Sequence, residues 1–370
     1  MPYYRAALCS CIATAIAATA LNVLAAAPGA VISQCDTLLA KDVICETANE
    51  YALGFMRSKG LTGVTVLQNV HSGGLVAFAA SDPAKVDVST GLLPLSTVKL
   101  LVAASCWDHE ESVRRKLSSM EQLLSDSLIR GNDDAGRRLA SALRDAIGTE
   151  QALKDIENYG FLSSQASPTI VDVPFWSKLP PPWKERLVPA ACYHSLTKDT
   201  STKDWEDTLS IGEERFVVTA LHVSRFLQAV GNRGLVLQPF AQTEDSQGDS
   251  KTDSARTSIR LLQESSALKL QSAMRATVER GTAKSIASIL ADTGWTIGGK
   301  TGTGPGPEGP GPQSDGWFAG LIFDSKGNPR FTVVTFVKHG GYGGGNAARI
   351  SAEVARFIIA GPNANHLTNR

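Results

Sequence analysis

The sequence has no excess of charge of either sign. Its 370 residues contain 36 Lys and Arg against 36 Asp and Glu, so the formal net charge is zero, and no basic block stands out. A chain without a basic face lacks the electrostatic footprint of a nucleic-acid-binding protein. Charged residues make up only 19% of the chain and hydrophobic residues 43%. This composition excludes a disordered or fibrous protein and allows one large domain or two modest ones.

Histidines and cysteines are not clustered at the spacings that metal ligands require. The six cysteines lie at positions 9, 11, 35, 45, 106 and 192. The first two fall in the N-terminal segment described below, and the other four form an even set, in which disulfides can persist in an oxidising compartment. We expect a Cys35–Cys45 disulfide from proximity and a core position for Cys106 in an apolar helix. We expect no catalytic cysteine, no metal and no cofactor.

Charge is absent from a long stretch near the N-terminus. Arg5 is followed by uncharged residues from Ala6 to Gln34, and residues 6–27 contain few polar side chains. A short basic start followed by an apolar run and small residues is typical of a secretory signal. The 22 residues from 6 to 27 are also long enough to span a bilayer. Residues 1–34 are therefore predicted to be either a cleaved signal peptide or a membrane anchor.

Strand-like segments lie near both ends of the remaining sequence and enclose a long, mostly helical region. The predicted strands are residues 63–67, 75–80, 295–300, 316–323 and 331–338, with the first two joined as a hairpin. The predicted helices are residues 36–57, 96–109, 133–146, 216–230 and 347–359, with a polar, proline-containing stretch over 163–212. We predict an α/β chain of the α+β type, in which terminal helices flank one antiparallel sheet. An all-α lobe of about residues 100–290 would be inserted beside the sheet, with a site in the cleft between the lobes.

The first chemical motif is Ser96-Thr97-Val98-Lys99, where a loop meets the start of an apolar helix. Residues i and i+3 share a helix face, so the lysine amine can reach the serine hydroxyl. A neutral lysine can accept the serine proton and make the hydroxyl a nucleophile. Two other Ser-x-x-Lys matches exist, Ser195/Lys198 in an irregular stretch and Ser266/Lys269 in a surface-like helix. The alternative for Ser96 is a plain helix N-cap.

The second motif is Lys300-Thr301-Gly302-Thr303, on a predicted strand directly after the helical region. Residues 294–301 also match the spacing of a phosphate-binding P-loop. That loop needs a helix directly after its Lys-Thr pair, whereas residues 302–312 are rich in glycine and proline and cannot start one. Nucleotide binding is therefore not expected, and the remaining alternative is a strand that ends in a Gly-Thr turn.

Together, the two motifs have the order and placement found in serine penicillin-recognising enzymes. The chain resembles the transpeptidase domain of class B penicillin-binding proteins. The similar segments are residues 94–100, 210–213, 218–222, 231–234, 281–283, 299–303, 315–320 and 343–348. The resemblance implies a β-lactamase/transpeptidase-like fold in a domain of residues 36–362. It also implies a periplasmic location, and as ligands the D-Ala-D-Ala ends of peptidoglycan stem peptides and β-lactams.

The resemblance further implies roles for individual residues. Ser96 would attack the penultimate D-Ala carbonyl, and Lys99 would act as the general base. The N–H groups of Ser96 and Thr303 would form the oxyanion hole. The lysine and the two threonines of Lys300-Thr301-Gly302-Thr303 would hold the terminal carboxylate of the substrate.

The Ser-x-Asn motif of the family is altered in this sequence. Its best local match is Arg130-Gly131-Asn132, where the asparagine that would bind the substrate's amide backbone is kept but arginine occupies the serine position. Arginine stays protonated and cannot easily relay a proton, as that serine is thought to do. Ser127 could supply a hydroxyl instead, or Arg130 could bind a substrate carboxylate. The structural alternative is a surface position for Arg130 and a helix N-cap role for Asn132.

Three functions stay open at this point. The first is a D,D-transpeptidase, and the second, on the same fold with the same nucleophile, is a class D-like β-lactamase or a D,D-carboxypeptidase. The segment Tyr159-Gly160-Phe161 lacks the asparagine of the class D Tyr-Gly-Asn pattern. The third is a non-catalytic envelope scaffold, which only Arg130 supports. No nucleic acid or nucleotide is expected as a partner, and the sequence identifies no envelope protein partner.

Overall fold

The computed structural model describes residues 45–88, 90–163, 193–212, 215–237, 240–241, 258–304 and 311–360. The predicted signal or anchor segment, the predicted Cys35–Cys45 disulfide and Cys192 lie outside these residues in whole or in part. None of the helices in the described ranges combines the length and the apolar character needed to cross a membrane.

A six-stranded sheet lies at the centre of the molecule. The described strands are β1 (Thr62–Asn69), β2 (Gly74–Ala80), β3 (Leu162–Ser163), β4 (Tyr193–His194), β5 (Phe216–Val217), β6 (Leu235–Val236), β7 (Phe240–Ala241), β8 (Ile259–Arg260), β9 (Thr296–Thr303), β10 (Gly316–Phe323) and β11 (Pro329–Lys338). The central sheet has the order β7-β2-β1-β11-β10-β9, in which five long strands pair antiparallel and the short β7 pairs parallel to β2. β9, which carries the second motif, is therefore the strand at one edge.

Helices cover both faces of this sheet. The described helices are α1 (Glu46–Ser58), α2 (Lys99–Asp108), α3 (Glu110–Lys116), α4 (Met120–Ile129), α5 (Asp133–Ile147), α6 (Thr149–Asn158), α7 (Thr202–Ile211), α8 (Ala220–Gly231), α9 (Glu264–Arg280) and α10 (Asn346–Ala360). The terminal helices α1 and α10 pack on each other, with the rings of Tyr51 and Phe357 stacked at 4.5 Å between centroids. α8 packs on β1 and β11, and α9 packs against β9, α2 and α4.

The alternation of side chains along the strands separates two hydrophobic cores. On β10, Trp317 and Leu321 point into the larger core, which is shared with the helical region, whereas Phe318 and Ile322 point into the core under α1 and α10. Successive residues of a strand face opposite sides of the sheet. Because both faces are covered, the strand reads as a continuous apolar run rather than an alternating one.

The predicted fold class is confirmed, and over the described residues most predicted elements agree with the structure to within a few residues. Residues 36–44 of the helix predicted over 36–57 lie outside the described residues. The helix predicted over 216–230 is wrong at its start. Residues Phe216–Val217 form β5, and the helix begins only at Ala220, because the side chain of Thr219 accepts a hydrogen bond from the His222 N–H and acts as the N-cap. The stretch over 163–212 also contains the helix Thr202–Ile211, capped by Ser201 in the same way.

Candidate active site

Ser96 lies in a short 3₁₀-helix, Leu95–Val98, that leads directly into α2. Leu95 has a φ of +52°, a left-handed conformation that is unusual for a branched side chain. The Leu95 N–H donates to the Gly212 carbonyl at 3.1 Å. A Cβ at Gly212 would lie only 2.2 Å from the carbonyl oxygen of Leu95. Glycine at 212 therefore lets α7 support the backbone turn that presents the half-buried Ser96.

Lys99 is buried beside the serine. Only 1% of the residue is exposed. Its Nζ donates to Ser96 Oγ at 3.1 Å, to the Gly131 carbonyl at 3.1 Å and to Asp133 Oδ1 in a short contact. The predicted Ser96–Lys99 pair is thus assembled. Ser127, the proposed alternative hydroxyl, is buried in α4 and is not among these three acceptors.

The electrostatic environment of Lys99 pulls its pKa in two directions. Burial lowers the pKa of Lys99, because an ammonium is poorly solvated there. The hydrogen bond and the charge of Asp133 act in the opposite direction, and the Arg137 guanidinium adds a smaller lowering effect. The net shift is downward, toward the neutral amine that a general base needs.

β9 brings the second motif next to Ser96. A Cβ at Gly302 would lie 3.3 Å from Leu95 Cβ and 3.3 Å from Thr97 Cγ2, the side chains on either side of Ser96. Gly302 pairs with Trp317 on β10, and the Trp317 indole N–H donates to the Leu93 carbonyl at 2.9 Å. The close approach of β9 thus depends on the absence of a side chain at 302.

The polar side chains of the second motif are already hydrogen-bonded within the protein. Lys300 is 1% exposed and its Nζ donates to the Thr301 carbonyl at 2.8 Å. Burial and the nearby charge of Lys99 lower the pKa of Lys300 well below its usual value. The Thr301 and Thr282 hydroxyls lie 2.6 Å apart, and Thr303 Oγ1 accepts the Gly343 N–H at 3.0 Å.

The Arg130-Gly131-Asn132 segment meets the site through its backbone. The side chain of Arg130 is 73% exposed and pairs with Asp126 of the same helix at 3.1 Å. Asn132 is exposed and caps α5, with its Oδ1 accepting the Ala135 N–H at 2.8 Å. This arrangement agrees with the structural alternative for both residues. The group that reaches Lys99 from this segment is the carbonyl of Gly131.

Asp133 is the residue of the site that the sequence reasoning missed. It is the first residue of α5, where acidic residues are common for reasons of helix stability alone, so its position gave no distinguishing signal. Its backbone carbonyl accepts a hydrogen bond from Ser210 Oγ at 2.7 Å. A Cβ at Gly136 would lie 3.1 Å from Lys99 Cε, so the first turn of α5 packs directly on the lysine stem.

The two other Ser-x-x-Lys matches do not form comparable pairs. Ser195 lies in an irregular segment, as predicted. Ser266 is fully buried in α9, so the expectation of a surface helix is wrong at that position. Lys269 pairs with Glu110 at 2.6 Å and therefore turns toward another helix.

Comparison with known proteins agrees with this geometry. Residues 196–358 match the family model described as the penicillin binding protein transpeptidase domain. The structure resembles penicillin binding protein 3 from Mycobacterium tuberculosis, solved in complex with aztreonam, with a TM-score of 0.61 at 17% identity, covering 87% of this chain and 78% of that one. It resembles the transpeptidase domain of the FtsI4 D,D-transpeptidase from Legionella pneumophila with a TM-score of 0.55 at 20% identity, covering 84% and 94%.

A peptidoglycan glycosyltransferase from Burkholderia ambifaria gives a TM-score of 0.59 at 14% identity, covering 86% of this chain and 95% of that one. No curated protein sequence gives a significant match. The resemblance to penicillin-binding protein transpeptidase domains is confirmed, and the fold is the β-lactamase/transpeptidase-like fold of those domains.

Proposed function

We propose that this chain is a serine D,D-transpeptidase that acts on D-Ala-D-Ala ends of peptidoglycan stem peptides and is acylated by β-lactams at Ser96. The observation that carries the proposal is the 3.1 Å contact between Lys99 Nζ and Ser96 Oγ, made by a lysine that is 1% exposed. A buried amine with a lowered pKa beside a hydroxyl is the arrangement that activates a serine nucleophile.

In this mechanism Ser96 attacks the penultimate D-Ala carbonyl and forms an acyl-enzyme. The N–H groups of Ser96 and Thr303 stabilise the oxyanion. Thr303 ends the edge strand β9, and an edge strand leaves a row of backbone groups on its outer side for an extended ligand to pair with. An amine of a neighbouring stem, or water, then takes the acyl group.

Lys300 and the hydroxyls of Thr301 and Thr303 hold the terminal carboxylate of the substrate. The support for this role is position, because Gly302, which lies between the two threonines, is placed against Leu95 and Thr97 on either side of Ser96. The threonine hydroxyls exchange their present partners for the ligand carboxylate, and Asn132 contributes its exposed amide to the substrate backbone.

The proposal extends to the organisation and location of the chain. Residues 36–362 form the transpeptidase-like domain. The inserted lobe of about residues 100–290, predicted as all-α, is mostly helical but also contains the short strands β3 to β8, of which β7 joins the central sheet. Residues 1–34 bring it to the periplasm as a cleaved signal or as an anchor. The stem peptides that the site fits are found in that compartment.

Intact-mass spectrometry with benzylpenicillin tests the proposal. We expect a lasting one-to-one adduct that maps to Ser96 and is lost in Ser96→Ala. The matched control is Ser195→Ala, which removes a hydroxyl from another Ser-x-x-Lys segment and should leave the adduct unchanged. Rapid loss of the adduct with hydrolysed drug would favour the β-lactamase alternative. Absence of any adduct on the folded wild-type protein would refute the proposal and favour the scaffold alternative.

A further inference from the structure

Lys99 makes three hydrogen bonds through its ammonium, and one acceptor is a carboxylate that belongs to neither sequence motif. Ser96 Oγ and the Gly131 carbonyl lie at 3.1 Å, and Asp133 Oδ1 is in short contact. The side chain of Lys99 is fully enclosed, whereas that of Asp133 is 48% exposed. Asp133 therefore connects an enclosed amine to the open side of the site.

Asp133 also acts on β9, the strand that carries the second motif. Burial and the charge of Lys99 lower the pKa of Lys300 on β9, and the charge of Asp133 partly opposes them, so the carboxylate lies within electrostatic range of both buried lysines. The Arg137 guanidinium on α5 also acts on Lys99 and lowers its pKa. The Arg137 guanidinium is itself paired with Asp207 at 2.7 Å and with Asp134 at 2.9 Å.

The position of Asp133 is fixed before any ligand arrives. Asn132 caps the helix that Asp133 begins, and Ser210 holds its backbone carbonyl. A carboxylate held in place beside a buried amine can exchange a proton with it without a large rearrangement. Arg130, which occupies the serine position of the altered motif, points away toward Asp126.

We infer that Asp133 carries the proton between Lys99 and the leaving nitrogen of the substrate, a role that rests on the proposed acylation of Ser96. The step begins from the pair as it stands, in which the Lys99 ammonium donates to the Asp133 carboxylate. Ser96 gives its proton to Lys99 Nζ as the bond from Oγ to the carbonyl carbon forms, and Lys99 passes one of its own protons to Asp133. As the C–N bond breaks, Asp133 gives its proton to the leaving nitrogen.

The step ends with an ammonium on Lys99 and a carboxylate on Asp133, so protons and charge balance. The same two groups run the reverse transfer when an amine or water releases the acyl group. No hydroxyl at position 130 is needed for this path.

The test compares Asp133→Asn with Asp134→Asn. Both variants remove one carboxylate from the first turn of α5, and Asp134 is 87% exposed and pairs with Arg137 instead of Lys99. We expect Asp133→Asn to acylate with benzylpenicillin on the order of 10²-fold more slowly, the range of a lost proton-transfer group. Asp134→Asn should acylate at the wild-type rate, and Asp133→Glu should recover part of the loss.

A thioester analogue of the D-Ala-D-Ala end separates proton transfer from structure. Its thiolate leaving group needs no proton, so Asp133→Asn should lose much less rate on the thioester than on the β-lactam. An equal loss on both substrates would assign Asp133 a purely structural role. If Asp133 only held Lys99 in its charged form, the amide variant would have more neutral lysine. It would then acylate as fast as the wild type or faster at neutral pH, and either result would overturn the inference.

Acylation of the wild-type protein shows whether a negative result refutes this inference alone or also the function on which it rests. Wild-type acylation at Ser96 combined with unimpaired Asp133→Asn refutes the proton path alone. A wild-type protein that no β-lactam or thioester acylates refutes the proposed function and the proton path together. Thermal unfolding of the two amide variants shows whether both proteins are folded at the assay temperature.

Discussion

Replacing Gly212 by alanine should distort the backbone turn that carries Ser96. Gly212 has a φ of +75°, and a Cβ there would lie 2.2 Å from the Leu95 carbonyl oxygen and 2.7 Å from the Leu95 nitrogen. The left-handed conformation costs a non-glycine residue about 1–2 kcal/mol. Forcing the clash apart adds about 1–3 kcal/mol, as for other overpacked sites.

The sum is a loss of about 2–5 kcal/mol in the free energy of unfolding. The neighbouring atoms are backbone, so the strain must move the turn that carries Ser96. We therefore expect a lower melting temperature together with slower β-lactam acylation of the fraction that remains folded. Calorimetry and a stopped-flow acylation assay on the same preparation measure the two effects.

The matched control is Gly60→Ala. Gly60 has a φ of +63°, but a Cβ there would meet nothing within 4 Å. This variant should show only the conformational cost of about 1–2 kcal/mol and an unchanged acylation rate. If Gly212→Ala is no less stable than Gly60→Ala and acylates normally, the reasoning about the support of Leu95 by α7 is refuted.

Two further substitutions test the part of the site formed by β9 and β10. Lys300→Met should abolish productive substrate binding yet raise stability by about 1–2 kcal/mol near neutral pH, because it removes a buried charge. The pKa of Lys300 is lowered on folding, so the cost of its charge to the free energy of unfolding is fully present below the folded pKa. That cost disappears as the pH approaches the unfolded pKa of about 10.4, so the melting temperatures of the variant and the wild type should converge between pH 6 and 10. A variant less stable than the wild type at pH 7 would contradict this. Trp317→Phe leaves the Leu93 carbonyl without its donor, so we expect a loss of about 1–3 kcal/mol in the free energy of unfolding, together with slower acylation. An unchanged midpoint of denaturant unfolding would contradict the role of the indole.

The fold was predictable where local signals and long-range packing agree. Strand β10 has the predicted bounds, because its apolar run lies between two cores and is bounded by Gly316 and the turn after Phe323. The helix from Asp133 was predicted at its start, since Asn132 is a strong N-cap residue whose side chain does cap it. Both chemical motifs lie on the predicted elements, the first at the start of a helix and the second on a strand.

The missed features depend on contacts between distant parts of the chain. Leucine is rarely left-handed, and only the approach of Gly212 from α7 accounts for the conformation of Leu95. Asp133 reads as an ordinary first-turn acid until Lys99, 34 positions earlier, is placed against it. The helix predicted over 216–230 starts too early, because hydrophobic periodicity does not distinguish the capping residue Thr219 from a helical one.

The order of the strands in the sheet also determines how late in folding the site can form. The pairing of β1 with β11 joins the two ends of the chain, and the hydroxyls of Thr65 and Thr335 lie in contact although 270 positions separate them. Contacts at such separation form late in folding, since a long loop must close first. A nascent or truncated chain that lacks β11 has no partner on that side of β1 or of β10. The place of β9 beside Ser96 therefore depends on strand pairings that the chain can complete only once β11 is present.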